Sequence, residues 1–148
     1  MSDTAPERTT AYVCQVVPTA RAGTPVSAPN PTVVNLPAFS WLWLVEVRVP
    51  AGHQGVTGLA MVDSGQFVVP YAVSGQAWLV GNDDLLRYPY NAEVGANVTF
   101  LAYNAGAYDH SWQCRLVYTP LALKDDAGAV IVSPDVADWL AEISADGQ

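Results

Sequence analysis

With 148 residues the chain is long enough for one domain that buries its own core without disulfides or a structural metal. Charged residues make up 14% of it, below the ~25% typical of soluble proteins, and five Trp and seven Tyr accompany a net charge of −8, a composition that suits a surface partly covered by other subunits. The six bases are too scattered to hold nucleic acid, no run nears the ~18 apolar residues of a membrane span, and the opening MSDTAPERTT has no signal-peptide core, so neither nucleic acid nor a membrane is an expected partner.

Residues 1–10 are small and polar and read as a flexible arm, followed by a first strand over 11–17 (AYVCQVV). Five prolines then fall between Pro18 and Pro37. They forbid helix and favour extended chain along a surface, its own or a neighbour's, in which 32–36 (TVVNL) can pair as an edge strand. The strongest strand signal is 40–50 (SWLWLVEVRVP). Its alternation places Trp41, Trp43, Val45, Val47 and Val49 on one face, while Leu42 and Leu44 imply a covered second face. Further strands are predicted at 56–62, 66–71, 76–80, 85–88, 97–104 and 111–119, with Gly, Pro, Asn and Asp turns between them. Short strands at this spacing predict a mainly β fold, an antiparallel β-sandwich or jelly-roll-like domain.

The period changes at Ser133-Pro134-Asp135, which supplies an oxygen cap, a first-turn proline and an acid near the positive helix end. Val136, Trp139, Leu140 and Ile143 then line one stripe of a predicted short C-terminal helix. Three segments result. Residues 1–37 are arm, first strand and extended Pro-rich segment; 38–123 are the β-sandwich body; 124–148 are an acidic segment, six acids against one base, with the helix.

Met61-Val62-Asp63-Ser64-Gly65 matches the apolar-apolar-Asp-Ser/Thr-Gly signature of retroviral-type aspartic proteases, and Leu79-Val80-Gly81 imitates their second element. In that chemistry two Asp share a proton. In the family most of the domain separates the two elements, whereas here Gly65 and Gly81 are only 16 residues apart, and Asp-Ser-Gly is equally what a tight hairpin turn uses. A serine triad on Ser64 would need His53 or His110, both in loop-like stretches where a lone His usually makes structural hydrogen bonds. Cys14 and Cys114 lack a CxxC partner and read as small buried hydrophobes. Asp83-Asp84 and Asp125-Asp126 offer too few alternating oxygens for calcium. The chain is therefore read as non-enzymatic, with no catalytic residue, cofactor or metal. Tyr88, Tyr90, Tyr108, Trp112 and Trp139 remain as candidate interface or ligand contacts, because a flat ring supplies area at low entropic cost.

Pro50-Ala51-Gly52-His53-Gln54-Gly55-Val56-Thr57-Gly58, then Trp78-Leu79-Val80-Gly81-Asn82-Asp83-Asp84, then Tyr103-Asn104 and Tyr108-Asp109-His110 ahead of a strand, resemble small accessory virion proteins of tailed bacteriophages, over residues 46–120. The resemblance implies a β-sandwich repeated many times on a capsid, at the head–tail connection or in the tail, making protein contacts and catalysing nothing. Expected partners are copies of itself and other virion proteins, and the expected location is the virion, built in the host cytoplasm. The Pro-rich stretch and the acidic end lie outside the resemblance. A second reading is a carbohydrate- or receptor-binding module that meets a host surface glycan through exposed Tyr and Trp. A third is an aspartic hydrolase on Asp63.

Overall fold

The computed structural model describes residues 11–37, 40–72, 74–95 and 97–121; the expected helix from Pro134, with Trp139, lies outside them. One antiparallel sheet holds β1 (Tyr12–Val16), β11 (Gln113–Pro120) and β4 (Ser40–Val49), and along the free side of β4 come β7 (Asp84–Tyr88) and then β8 (Ala92–Val94). A second antiparallel sheet runs β3 (Asn30–Val33), β9 (Val98–Asn104), β5 (Thr57–Asp63), β6 (Gln66–Val69). A short ribbon pairs β2 (Thr19–Ala20) with β10 (His110–Ser111). The chain changes sheet at β3–β4, β4–β5, β6–β7 and β8–β9, so neither sheet is made of consecutive sequence. No helix among the described residues is long and apolar enough to cross a membrane.

The sandwich core joins both sheets. Val45 and Val47 of β4 and Leu116 of β11 pack in one cluster with Leu59 and Met61 of β5 and Phe100 of β9, all fully buried. That burial is the main stabilising term, since each large apolar side chain removed from water contributes about 1.5–3 kcal/mol.

Alternation fails at one place in β4. Strand β11 pairs Val117 with Leu44 and Tyr118 with Leu42, which leaves Trp43 as an extra residue in a β-bulge. The bulge inverts parity: Leu42, Val45, Val47 and Val49 enter the core, whereas Trp41, Trp43 and Leu44 form a separate cluster with Val117, Ala11 and Leu121. The expectation that both tryptophans share a face with the three valines is corrected accordingly. Each indole keeps its N–H satisfied. Trp43 Nε1 donates to Thr119 Oγ1 at 2.9 Å, and Trp41 Nε1 donates to Asn91 Oδ1 at 3.2 Å.

The strand predicted at 76–80 is reduced to one pair of backbone hydrogen bonds between Leu79 and Leu59. The reason is occupancy: β6 already covers the same edge of β5 from Met61 to Asp63. Trp78 instead meets Phe67 and Tyr103 edge-on, with ring centroids 5.5 and 5.0 Å away. Gly58, opposite Tyr103 in β9, makes this possible, because a Cβ there would overlap the tyrosine ring. Asp63-Ser64-Gly65 is a two-residue hairpin turn, with Asp63 paired to Gln66 and positive φ at Ser64 (52°) and Gly65 (88°), the type I′ pattern that matches strand twist. The Pro-rich stretch is woven into the body. Asn30–Val33 forms the edge strand expected at 32–36, and β2 lies earlier in the same stretch.

Candidate functional site

The two sheets end side by side at β6 and at β7–β8, and between them lies a groove of about 500 Å³. Val68, Pro70 and Tyr71 line one wall, and Tyr88, Pro89 and Tyr90 line the other. Tyr88 and Tyr90, flagged from the sequence, are thus brought together, and the structure adds Tyr71, which is 69% exposed. Local chemistry explains the shape. Pro89 interrupts the strand that β7 and β8 would otherwise form along β4, and Asn91 N donates to Trp43 O at 3.3 Å, holding the Pro89–Asn91 link beside the bulge. Burial raises the Tyr90 phenol above its ordinary range, and the Asp63 carboxylate adds to this, so Tyr90 remains a neutral hydrogen-bonding group. Among the described residues, the only polar side-chain atoms in the lining are tyrosine hydroxyls. Such a surface suits an apolar protein segment better than a sugar, whose hydroxyls need several fixed polar partners.

The remaining predicted contacts are elsewhere. Tyr108 stands on the β9–β10 loop, 78% exposed, and its carbonyl accepts from Asn104 Nδ2 at 2.6 Å. Asn104 pairs with Thr57 at the start of β5, whereas Asp63, beside Tyr90, ends that strand. Six steps of ~3.4 Å separate those ends by about 20 Å, so Tyr90 and Tyr108 do not form one platform. Trp112 is corrected from a surface contact to an interior one: it is 1% exposed, its backbone N donates to Pro18 O at 2.9 Å, and its ring packs on His53. Trp139 lies outside the described residues.

Three features that drew attention as chemistry have structural uses. The Asp63 carboxylate accepts from Gly95 N at 3.0 and 3.2 Å, which ties the β5–β6 turn to the end of β8. His53 is 1% exposed and lies against His110, with ring centroids 4.4 Å apart. Its Nε2 is 3.0 Å from Ser111 O, so that nitrogen carries the proton, and Nδ1 accepts from the Thr57 hydroxyl at 2.6 Å. Burial, then the neighbouring His110, lower the His53 pKa, and the Ser111 carbonyl partly opposes them. His53 is therefore held neutral near the start of β5, while Asp63 ends that strand. Among the described residues no three of His, Cys, Asp and Glu gather as metal ligands.

The side of the sandwich opposite the groove, at β1 and β3, differs from it. Val13, Val17, Val26 and Val33 are exposed there, and Val26 sits in a turn closed by Ala28 N donating to Pro25 O at 3.1 Å. Sequence reasoning did not single out these valines, because exposed and buried valines in alternating runs look the same.

No protein-family model matches the chain, and no curated protein matches it. Among solved structures the chain is similar to a cyanophage Pam1 capsid asymmetric unit, at 16% identity over 73% of this chain and 83% of that one, with a TM-score of 0.43. It is also similar to a protein designated FLHE, at 14% identity over 74% and 97% of the two chains, with a TM-score of 0.42. A structure of the infectious bursal disease virus Gt strain is similar at 13% identity over 81% of this chain and 33% of that one, with a TM-score of 0.32.

Proposed function

We propose that the chain is a non-catalytic structural subunit of a phage particle that associates with copies of itself through the sides of its sandwich. The place in a phage particle rests on the sequence resemblance over residues 46–120. Self-association rests on one observation, the uncharged edges. Strands β1, β3 and β6 read YVCQV, NPTV and QFVV, without a single charged residue, and exposed valines or Tyr71 accompany them. Proteins that stay monomeric blunt open edges with charges, prolines, bulges or covering loops, because unpaired backbone beside apolar side chains invites another chain; β3 has only Pro31 and β6 only the returning Tyr71–Ala72 segment, and β1 carries neither charge nor proline.

Light scattering at micromolar concentration tests the reading. Oligomers should persist when salt rises from about 0.1 M to about 1 M, where the screening length falls to about 3 Å but apolar burial is not weakened. A chain that stays monomeric under both conditions and also fails to bind capsid or tail particles refutes it.

A further inference from the structure

The outer face of the sheet that contains β4 is covered in one part and bare in another. Trp41, Trp43 and Leu44 of β4 and Val117 of β11 cluster on the side away from the sandwich core, yet they are 5%, 7%, 4% and 0% exposed. Val13, the cross-strand partner of Val117, is 38% exposed, and Leu85, the partner of Arg48, is 52% exposed. Cross-strand partners share a face, so Val13 and Leu85 show how open an apolar residue stands there when nothing lies over it. Neighbours in a sheet flank a side chain but do not roof it, so the tryptophan patch has a cover.

We infer that the cover is the chain's own C-terminal segment, seated through Val136, Trp139, Leu140 and Ile143. The inference is independent of the phage role and of self-association. Both ends of the described body reach the patch: Ala11 is buried in it and Leu121 packs against it. Before Ala11 come ten residues with one large apolar side chain, Met1, against three charges, a composition too polar to roof two indoles. After Leu121 come 27 residues, in which Leu123 stands apart and two apolar groups follow, AVIV at 129–132 and the stripe from Val136 to Ile143. An extended AVIV would turn only two of its four side chains toward the sheet. The stripe turns all four of its own, an indole among them.

The dimensions agree. Seven helical steps of ~1.5 Å place Val136 and Ile143 about 10 Å apart, and three strand steps of ~3.4 Å place Trp41 and Leu44 about 10 Å apart. The stretch from Leu121 to Ser133 can span up to about 40 Å, so the tether does not limit the seat. Charge agrees as well. In a helix Asp135, Asp138 and Glu142 share one flank beside the stripe. The patch is bordered on one side by Arg115, two residues from Val117 on the same face, and by Arg87, both paired to Glu46, a trio of net +1. Glu93, opposite Trp41, borders it on another side. The acidic flank is therefore drawn toward the arginines and away from Glu93.

Nuclear magnetic resonance of the full-length chain tests the seat through the indole N–H signals. In Trp139→Asp with Leu140→Asp, the Trp41 and Trp43 indole N–H groups should exchange with water at least tenfold faster than in the wild type. Those of Trp78 and Trp112, which belong to other clusters, should keep their rates. Ala141→Asp, off the stripe, should change none of them. In the wild type the Trp139 ring should show nuclear Overhauser contacts to Trp41, Trp43 or Leu44, which decides the matter even where the double variant fails to fold. Unchanged Trp41 and Trp43 rates in the double variant, equal acceleration by Ala141→Asp, acceleration by Ile131→Asp instead, or absent Trp139 ring contacts overturn the assignment. Ring contacts that run only between a labelled and an unlabelled chain overturn it too, by giving the seat to a second copy. A chain that stays monomeric leaves it standing.

Discussion

Replacing Asn104 with Ala removes a side chain that holds three segments at once. Asn104 is fully buried at the end of β9; its Nδ2 donates to Ala20 O at 3.1 Å and to Tyr108 O at 2.6 Å, and its Oδ1 accepts from Gly106 N at 2.9 Å. These partners fix the amide orientation, since two are carbonyls and one is an N–H. At about 1 kcal/mol net for each neutral hydrogen bond, the loss is about 3 kcal/mol, more if the stranded carbonyls find no water. A domain of this size loses about 2–4 °C of Tm per kcal/mol, so the variant should melt about 6–12 °C lower. Urea denaturation gives the free energy and a thermal scan the Tm. Asn104→Asp supplies a control. Its carboxylate still accepts from Gly106 N but turns a second oxygen on the Ala20 and Tyr108 carbonyls, so at neutral pH it should be less stable than Asn104→Ala. Its deficit should shrink as acid protonates the carboxyl and restores one donor. A loss below about 1 kcal/mol for Asn104→Ala, or an Asp variant as stable as the wild type at neutral pH, refutes the reasoning.

His53 gives the chain a pH dependence of definite sign. Its folded pKa lies below the ordinary 6.5, so its contribution is complete above 6.5 and is lost as pH falls from there through the folded value, because only the unfolded chain readily takes the proton. His53→Gln can keep both hydrogen bonds without titrating, so urea stabilities of wild type and variant should diverge between neutral pH and pH 5.5, and parallel curves would remove His53 as the cause. Cys114 is buried and its thiol is pushed up to about 12 by desolvation, whereas Cys14 is partly exposed. A thiol reagent at pH 8 should therefore label native Cys14 first and reach Cys114 only on unfolding; peptide mapping that finds Cys114 modified in the native chain contradicts this.

The sandwich was legible because most strands alternate and their turns carry Gly, Asn and Asp at positions needing positive φ, as at Ser64-Gly65. The bulge at Trp43 was not, because both faces of β4 are apolar there, and a pattern of hydrophobic residues cannot show which parity each half obeys. Residues 76–80 alternate well enough for a strand, but edge occupancy is a property of the sheet: β6 had already taken the Met61–Asp63 end of the free side of β5. The groove was half legible. Tyr88 and Tyr90 flank a proline and stood out, whereas Tyr71 joins them only because β6 and β7 border different sheets on the same side, a long-range fact. Trp112 was misplaced for a related reason: it follows turn-like residues, yet β2 and His53 enclose it.

Charge placement connects the fold to the proposed role. Residues 11–121 hold six acids and four bases, a net of −2, while the whole chain carries −8. Three of those four bases are in ion pairs, Arg48 with Asp83, and Arg87 and Arg115 with Glu46, at 3.1, 3.4 and 3.3 Å. Three of the six acids also serve the backbone: Asp63 accepts from Gly95 N, Asp84 from Asn82 N, and Asp109 from Ala22 N. Such partly exposed contacts add little stability, yet they assign the body's few charges to turns and to the middle of the β4 sheet. In the proposed assembly the uncharged strands β1, β3 and β6 would meet a neighbour with almost no local repulsion at the ~8 Å screening length of physiological salt.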